Sequence, residues 1–260
     1  TGNSSVFPAI INHLEDLKNV KRDTRKGDVR SIIYIEDTPR YFSSILPVIY
    51  KETLFHTKQL IDKSLNNTQR LIHMRSRPKV LLAHNYEDAE RYFKQYKNNI
   101  LGIISDIRFP KKNKLHLNAG ILFAKYVHSI ERSMPILLLS NENEALNLAK
   151  TITPNVLNKN SSTLFSDIRE FMVYNFGFGD FIFKLPNGKI IGKVSNLDDL
   201  EIFFEKIPKK SLDFHAANNH FSNWLAARGE FQLATQFRKL KSTDFSDIYT
   251  RRAHHINLIK

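Results

Sequence analysis

The chain predicts an α/β architecture, a doubly wound parallel sheet of five strands followed by a small, mostly helical α+β unit. Five short apolar runs recur between residues 32 and 157, most of them rich in β-branched side chains. Amphipathic stretches with helical spacing fill the intervals between them. After Phe176 this alternation stops and gives way to a hairpin pattern followed by helices. Alternating β and α segments read as a parallel sheet with helices on both faces, since the crossovers are right-handed.

Phe7, Ile10, Ile11, Leu14 and Leu17 recur at helical spacing and predict a first helix. Residues 18–30 are charged and almost free of apolar side chains, which reads as an exposed linker. The runs at 32–35, 80–83, 100–104, 136–139 and 155–157 suit strands buried on both faces of a parallel sheet. Between the first two runs, Phe42, Ile45, Val48, Ile49, Leu54, Leu60 and Ile61 mark a long helix containing Pro47, followed by a basic connector at 70–79. Ala89, Tyr92 and Phe93 mark the next helix, and residues 119–130 and 144–151 the two after it. The fifth helix is expected to bury Leu164, Phe165, Ile168, Phe171 and Met172, with Ser161 as its cap. Gly177 to Asp180 reads as a hinge. Residues 181–185 and 189–194 read as a hairpin about Pro186-Asn187-Gly188, and 197–206, 215–227 and 229–240 as helices. The division expected is 1–30, 31–175 and 176–260.

Composition narrows the function. With 42% hydrophobic and 11% aromatic residues, the chain can build a packed core. It has no cysteine, which excludes disulfides and thiolate metal sites and suits a reducing cytoplasm. No apolar run approaches the roughly 20 residues needed to span a bilayer, and residues 1–11 lack the pattern of a signal peptide. The chain opens on Thr1-Gly2-Asn3 without methionine, so it is read as cut from a longer polypeptide. The formal net charge of +13 is spread along the chain rather than gathered on one helix. It therefore reads as a soluble basic surface, with binding to an acidic partner as the alternative.

The residues directly after each strand matter most, because ligands of open parallel sheets bind beyond the carboxyl ends of the strands. Glu36 and Asp37 follow the first strand, Asp106 the third, Ser140 the fourth and Lys159 the fifth. Three carboxylates, a hydroxyl and a lysine are thus expected on one rim. Three close carboxylates repel one another unless a cation offsets them, and hard oxygen ligands in that number suit Mg²⁺. A carboxylate can attack a phosphoryl group, and a metal ion with a lysine can offset the charge that develops.

Ile35-Glu36-Asp37, residues 105–110 (Ser-Asp-Ile-Arg-Phe-Pro), Leu139-Ser140 and Asn158-Lys159 resemble, in order, the characteristic blocks of response-regulator receiver domains. The resemblance implies a flavodoxin-like fold and a phosphorelay role in which Asp106 accepts a phosphoryl group from a histidine kinase or another donor. It implies Mg²⁺ held by Glu36, Asp37, Asp106 and the backbone carbonyl of Arg108, with Ser140 as the switch hydroxyl and Lys159 on the phosphoryl group. Pro110 matches the family's proline. Val156, Asn160 and Lys114 depart from its usual aromatic, proline and glycine, which weakens the standard conformational relay.

A second resemblance covers nearly the whole chain. The long first helix, residues 74–82, 102–110, 175–181 and 215–228 are similar to the regulatory region of large bacterial proteins labelled phosphoenolpyruvate synthase-like or pyruvate, phosphate dikinase-like. It implies that residues 1–30 end a preceding receiver-like domain. It also implies that a phosphotransferase part, the partner of this module, lies beyond Lys260. The fragment itself shows no catalytic set, so it is read as regulatory rather than enzymatic. A second copy of the chain is a further candidate partner. Two other readings stand beside this one: a degenerate receiver that serves as an interaction scaffold, and a response regulator whose C-terminal unit binds DNA. His215, His220, His254 and His255 lack the spacing of a zinc site and read as packing or capping residues. The aromatic residues from Phe203 to Phe237 read as core.

Overall fold

A computed structural model describes residues 5–64 and 66–260, so the Thr1-Gly2-Asn3 start lies outside the described residues. The chain divides into two compact units, Thr1–Met172 and Val173–Lys260.

Unit 1 begins with α1 (Val6–Gly27), β1 (Ser31–Ile35), α2 (Pro39–Asp62), α3 (Asn67–Arg75), β2 (Lys79–Ala83), α4 (Tyr86–Tyr96) and β3 (Ile100–Asp106). A small hairpin of β4 (Phe109–Lys111) and β5 (Lys114–His116) follows. Then come α5 (Ala119–Ile130), β6 (Ile136–Ser140), α6 (Asn143–Ala149), β7 (Val156–Asn158) and α7 (Leu164–Asn175). The five-stranded sheet has the order β2-β1-β3-β6-β7 and every pairing in it is parallel. This is the flavodoxin-like, doubly wound α/β fold, in which the connections reverse direction between β1 and β3. β1, β2, β3 and β6 are buried at every position, as a sheet covered on both faces requires. Alternation along β1 sends Ile33 and Ile35 to one face, where they pack in a cluster with Phe93 and Phe123. Ile32 and Tyr34 go to the other face. At the start of α4, the Asn85 side chain accepts the Asp88 N–H at 2.8 Å, a standard helix cap.

Several expectations change here. Residues 18–30 are not a linker, because α1 continues to Gly27 with Val20 and Thr24 buried. The apolar stripe of α1 faces solvent, and its buried face centres on Asp16. The connector at 70–79 is largely helix α3, capped by Asn66. Phe165 is exposed on α7. The hairpin after β3 turns on Lys112 and Asn113, both with positive φ. That is the backbone of a type I′ turn, which favours Asn-Gly and is poorly signalled by Lys-Asn.

Unit 2 opens with an antiparallel hairpin of β8 (Phe181–Lys184) and β9 (Ile190–Val194). Five helices follow: α8 (Leu197–Phe204), α9 (Lys209–Ala217), α10 (His220–Ala227), α11 (Phe231–Lys239) and α12 (Ile248–Ile259). The helix expected at 215–227 is split at Asn219, whose φ of 54° no α-helix accepts. Of the aromatic residues expected as core, Phe204, Phe221, Trp224 and Phe237 are buried, whereas Phe203, Phe214 and Phe231 are half-buried. Phe221 stacks on Phe181 with ring centroids 4.9 Å apart.

Candidate functional site

Every element of the site comes from the carboxyl end of a strand in unit 1. Glu36 leaves β1, and its backbone N–H donates to the carbonyl of Ala83 at the end of β2. Asp106 is the last residue of β3, and Ser140 the last of β6. Lys159 follows β7, and its N–H donates to the Ser140 carbonyl at 2.8 Å. Because the strands are parallel and in register, their ends deliver all four residues to one rim beside the β1/β3 reversal.

The side chains converge. The Lys159 ammonium lies 2.5 Å from a Glu36 oxygen and 2.8 Å from Asp106 Oδ2. The other Asp106 oxygen accepts the Ile107 N–H at 2.8 Å, and the other Glu36 oxygen accepts the Thr38 N–H at 3.1 Å. The Tyr41 ring covers the ammonium, with Nζ 4.2 Å from its centroid. Glu36, Asp106 and Lys159 are buried, and Asp37 is half-buried. The Ser140 hydroxyl accepts the Glu142 N–H at 3.1 Å.

Charge in this pocket does not balance. Three carboxylates cluster beside one ammonium, which contacts two of them. Burial and the neighbouring Asp106 charge push the Glu36 carboxyl up to about 7, despite Lys159. Burial also raises Asp106, against the pull of Lys159 and the Ile107 N–H. One oxygen from each of Glu36, Asp37 and Asp106 lies within 4.8 Å of the others. A hard dication such as Mg²⁺ suits that donor set, because it takes few protein ligands and would offset the excess negative charge. The expected backbone-carbonyl ligand, Arg108, has an exposed side chain paired with Glu142 at 2.8 Å.

Two supporting residues escape sequence reasoning. Gly120, in the first turn of α5, lies so close to the backbone of β3 that a Cβ there would sit 2.2 Å from the Asp106 carbonyl oxygen. Its N–H donates to the Ile107 carbonyl at 2.9 Å. Tyr41 is the other, placed over Lys159 by the first turn of α2. A glycine near a predicted helix start was the available signal for the first, and nothing local marks the second.

Outside unit 1, Gly177 to Asp180 is clamped rather than free to act as a hinge. A Cβ on Gly177 would meet Trp224 Cα at 2.5 Å. The Arg228 guanidinium donates to the carbonyls of Gly177 and Gly179 and stacks over the Trp224 ring at 3.6 Å. His215 and His220 bond to each other, Nδ1 to Nδ1, at 2.9 Å. His215 Nε2 accepts the Lys184 N–H at 2.8 Å. The His215 proton therefore sits on Nδ1 and is donated to His220. Among the described residues these histidines join no group of three metal-competent side chains.

Among the described residues, no helix is long and apolar enough to cross a membrane. No protein-family model matches the chain, and no curated protein matches it. A solved structure of a response regulator receiver domain protein from Clostridium thermocellum is 18% identical, with a TM-score of 0.38, and the match covers 54% of this chain and 90% of that one.

Proposed function

We propose that residues 31–175 form a phosphoacceptor module in which Asp106 takes a phosphoryl group in a Mg²⁺-dependent reaction. The observation that carries this reading is the cluster of Glu36, Asp37 and Asp106 at the carboxyl rim of the sheet, with Lys159 bridging Glu36 and Asp106. Glu36, Asp37, Asp106 and the Arg108 carbonyl would hold the metal, which supplies positive charge beside the incoming phosphoryl oxygens. An Asp106 oxygen forms the new bond to phosphorus while the donor's bond breaks and its group leaves with the electron pair. Lys159, held by Tyr41, stays within reach of the transferred group, and the Ser140 hydroxyl has its proton free to donate to it. The donor is a histidine kinase or a small acyl phosphate. The module regulates an attached part, a phosphoenolpyruvate synthase-like one by sequence resemblance, and itself turns over no substrate.

A second reading has an observation in its favour. Lys159 bridges Glu36 and Asp106 at 2.5 and 2.8 Å, so the pocket can serve as a closed structural network in a scaffold. The test is incubation of the full chain with acetyl phosphate and Mg²⁺, followed by intact mass, with a parallel titration of Mg²⁺ and beryllofluoride. The expected result is one phosphoryl adduct, absent in Asp106→Asn and in chelator. No adduct together with no binding of either ligand would overturn the phosphoacceptor reading and leave the scaffold.

A further inference from the structure

α1 buries one face and leaves a second, more apolar face open. The buried face carries Ala9, Asp16, Val20 and Thr24. The open face carries Phe7 (72% exposed), Ile10 (44%), Ile11 (66%), Leu14 (61%) and Leu17 (40%). A helix lying on a domain surface normally shows its polar side to water. Here an ion-paired aspartate lies inward and five large apolar side chains point out. At these exposures they leave on the order of 500 Å² of contiguous apolar surface, near the top of the roughly 300–600 Å² typical of a monomer's largest patch. That is roughly three-fifths of the about 800 Å² that each partner contributes to a standard interface, which suits a dimer of modest affinity.

We propose that this face joins two copies of the chain through antiparallel α1 helices about a two-fold axis. The stripe is its own complement: positions 7, 10, 14 and 17 are spaced by three, four and three, symmetrically about Asn12. Antiparallel pairing sets Phe7 against Leu17 of the second copy and Ile10 against its Leu14. Each contact is made twice, as an isologous interface requires. This spacing also suits helices packed at a shallow angle of about 20°. Charge selects the direction. Lys18, Lys21, Arg22, Arg25 and Lys26 all follow the stripe. A parallel pair would align these cations with their own copies, and an antiparallel pair sends them to opposite ends. The proposal is independent of any chemistry at Asp106.

Sedimentation equilibrium of the full chain tests it, and a dimer is expected. Leu14→Lys places a charge in the centre of the stripe and should weaken dimerisation by about a hundredfold. Leu14 is solvent-exposed, so the far-UV circular dichroism should stay unchanged, and the thermal transition should lose its dependence on protein concentration. The natural chain has no cysteine, so cross-linking can read the direction. An equimolar mixture of Phe7→Cys and Leu17→Cys chains, mildly oxidised, should give the mixed disulfide in preference to either self-disulfide. A monomer at about 100 µM, a regime that still detects weak pairs, would overturn the proposal and leave the face to another partner. A dimer indifferent to Leu14→Lys, or a preference for self-disulfides, would overturn it as well.

Discussion

Unit 1 contains two buried polar clusters at opposite ends of its sheet, and they differ in whether their charges balance. At the amino ends of the strands, Asp16 from α1 receives the Arg77 guanidinium at 2.5 and 3.2 Å, the Tyr50 hydroxyl at 3.0 Å and the Val80 N–H at 2.9 Å. Lys79 lies 3.5 Å from Asp16 and 3.1 Å from Asp23. The two buried cations match the two carboxylates, the exposed Arg22 lies a further 3.0 Å from Asp23, and every Asp16 lone pair has a donor. At the carboxyl ends, Glu36 and Asp106 share Lys159 with Asp37 beside them, and both Glu36 and Asp106 are pushed toward protonation. The first cluster is complete without any further ligand, and it bolts α1 to the sheet. The second is electrostatically short of positive charge, the condition under which a pocket binds a cation or does acid–base or phosphoryl chemistry. Both clusters are largely buried, so balance rather than burial distinguishes them.

Breaking the balanced node should have the largest effect. Asp16→Asn leaves Arg77 and Lys79 buried without their shared anion and should cost about 3–5 kcal/mol, measured by urea unfolding of unit 1 followed by circular dichroism. Unit 2 provides a buried polar pair that is neutral. Burial, with His220 and Lys184 nearby, lowers His215 to about 3, and burial with Lys184 lowers His220 to about 4. The unfolded chain takes up both protons below about 6.5, while the folded chain refuses them. Stability is therefore complete above pH 6.5 and falls with acidification, by about 2 kcal/mol for each ring at pH 5. Trp224, the single tryptophan and buried in unit 2, reports this directly by fluorescence in urea at pH 7.5 and 5.0.

Two smaller effects bear on the acidic cluster. Gly120→Ala forces a methyl group into the backbone of Asp106 and should cost about 1–3 kcal/mol. It should also weaken Mg²⁺ binding, read by calorimetry. Asp106→Asn should be the mildest. It removes one of three repelling carboxylates and leaves Lys159 on Glu36, so stability should stay within about 1 kcal/mol of the parent or rise. If Asp106→Asn destabilised the unit as much as Asp16→Asn, the distinction between the two nodes would fail.

The sheet and the acidic rim could be read from the sequence because each obeys a local rule. A strand covered on both faces must be apolar throughout, so β1, β2, β3 and β6 announce themselves. Glu36, Asp106, Ser140 and Lys159 are the polar residues at or just past the ends of those runs. The split at Asn219 and the turn at Lys112-Asn113 were not legible, because neither residue demands a positive φ in the way that glycine does.

By itself the sequence determined which residues share a helix face and which side chains end each strand, since spacing along the chain is enough for both. Only the tertiary structure decided which face of α1 turns inward. Periodicity puts Phe7, Ile10, Leu14 and Leu17 on one side and Ala9, Asp16 and Val20 on another, and hydrophobicity alone would bury the first set. The second set is buried instead, because Asp16 meets Arg77, 61 residues away, together with Lys79 and the N–H of Val80. An ion pair between distant segments leaves no trace in the local pattern of either one.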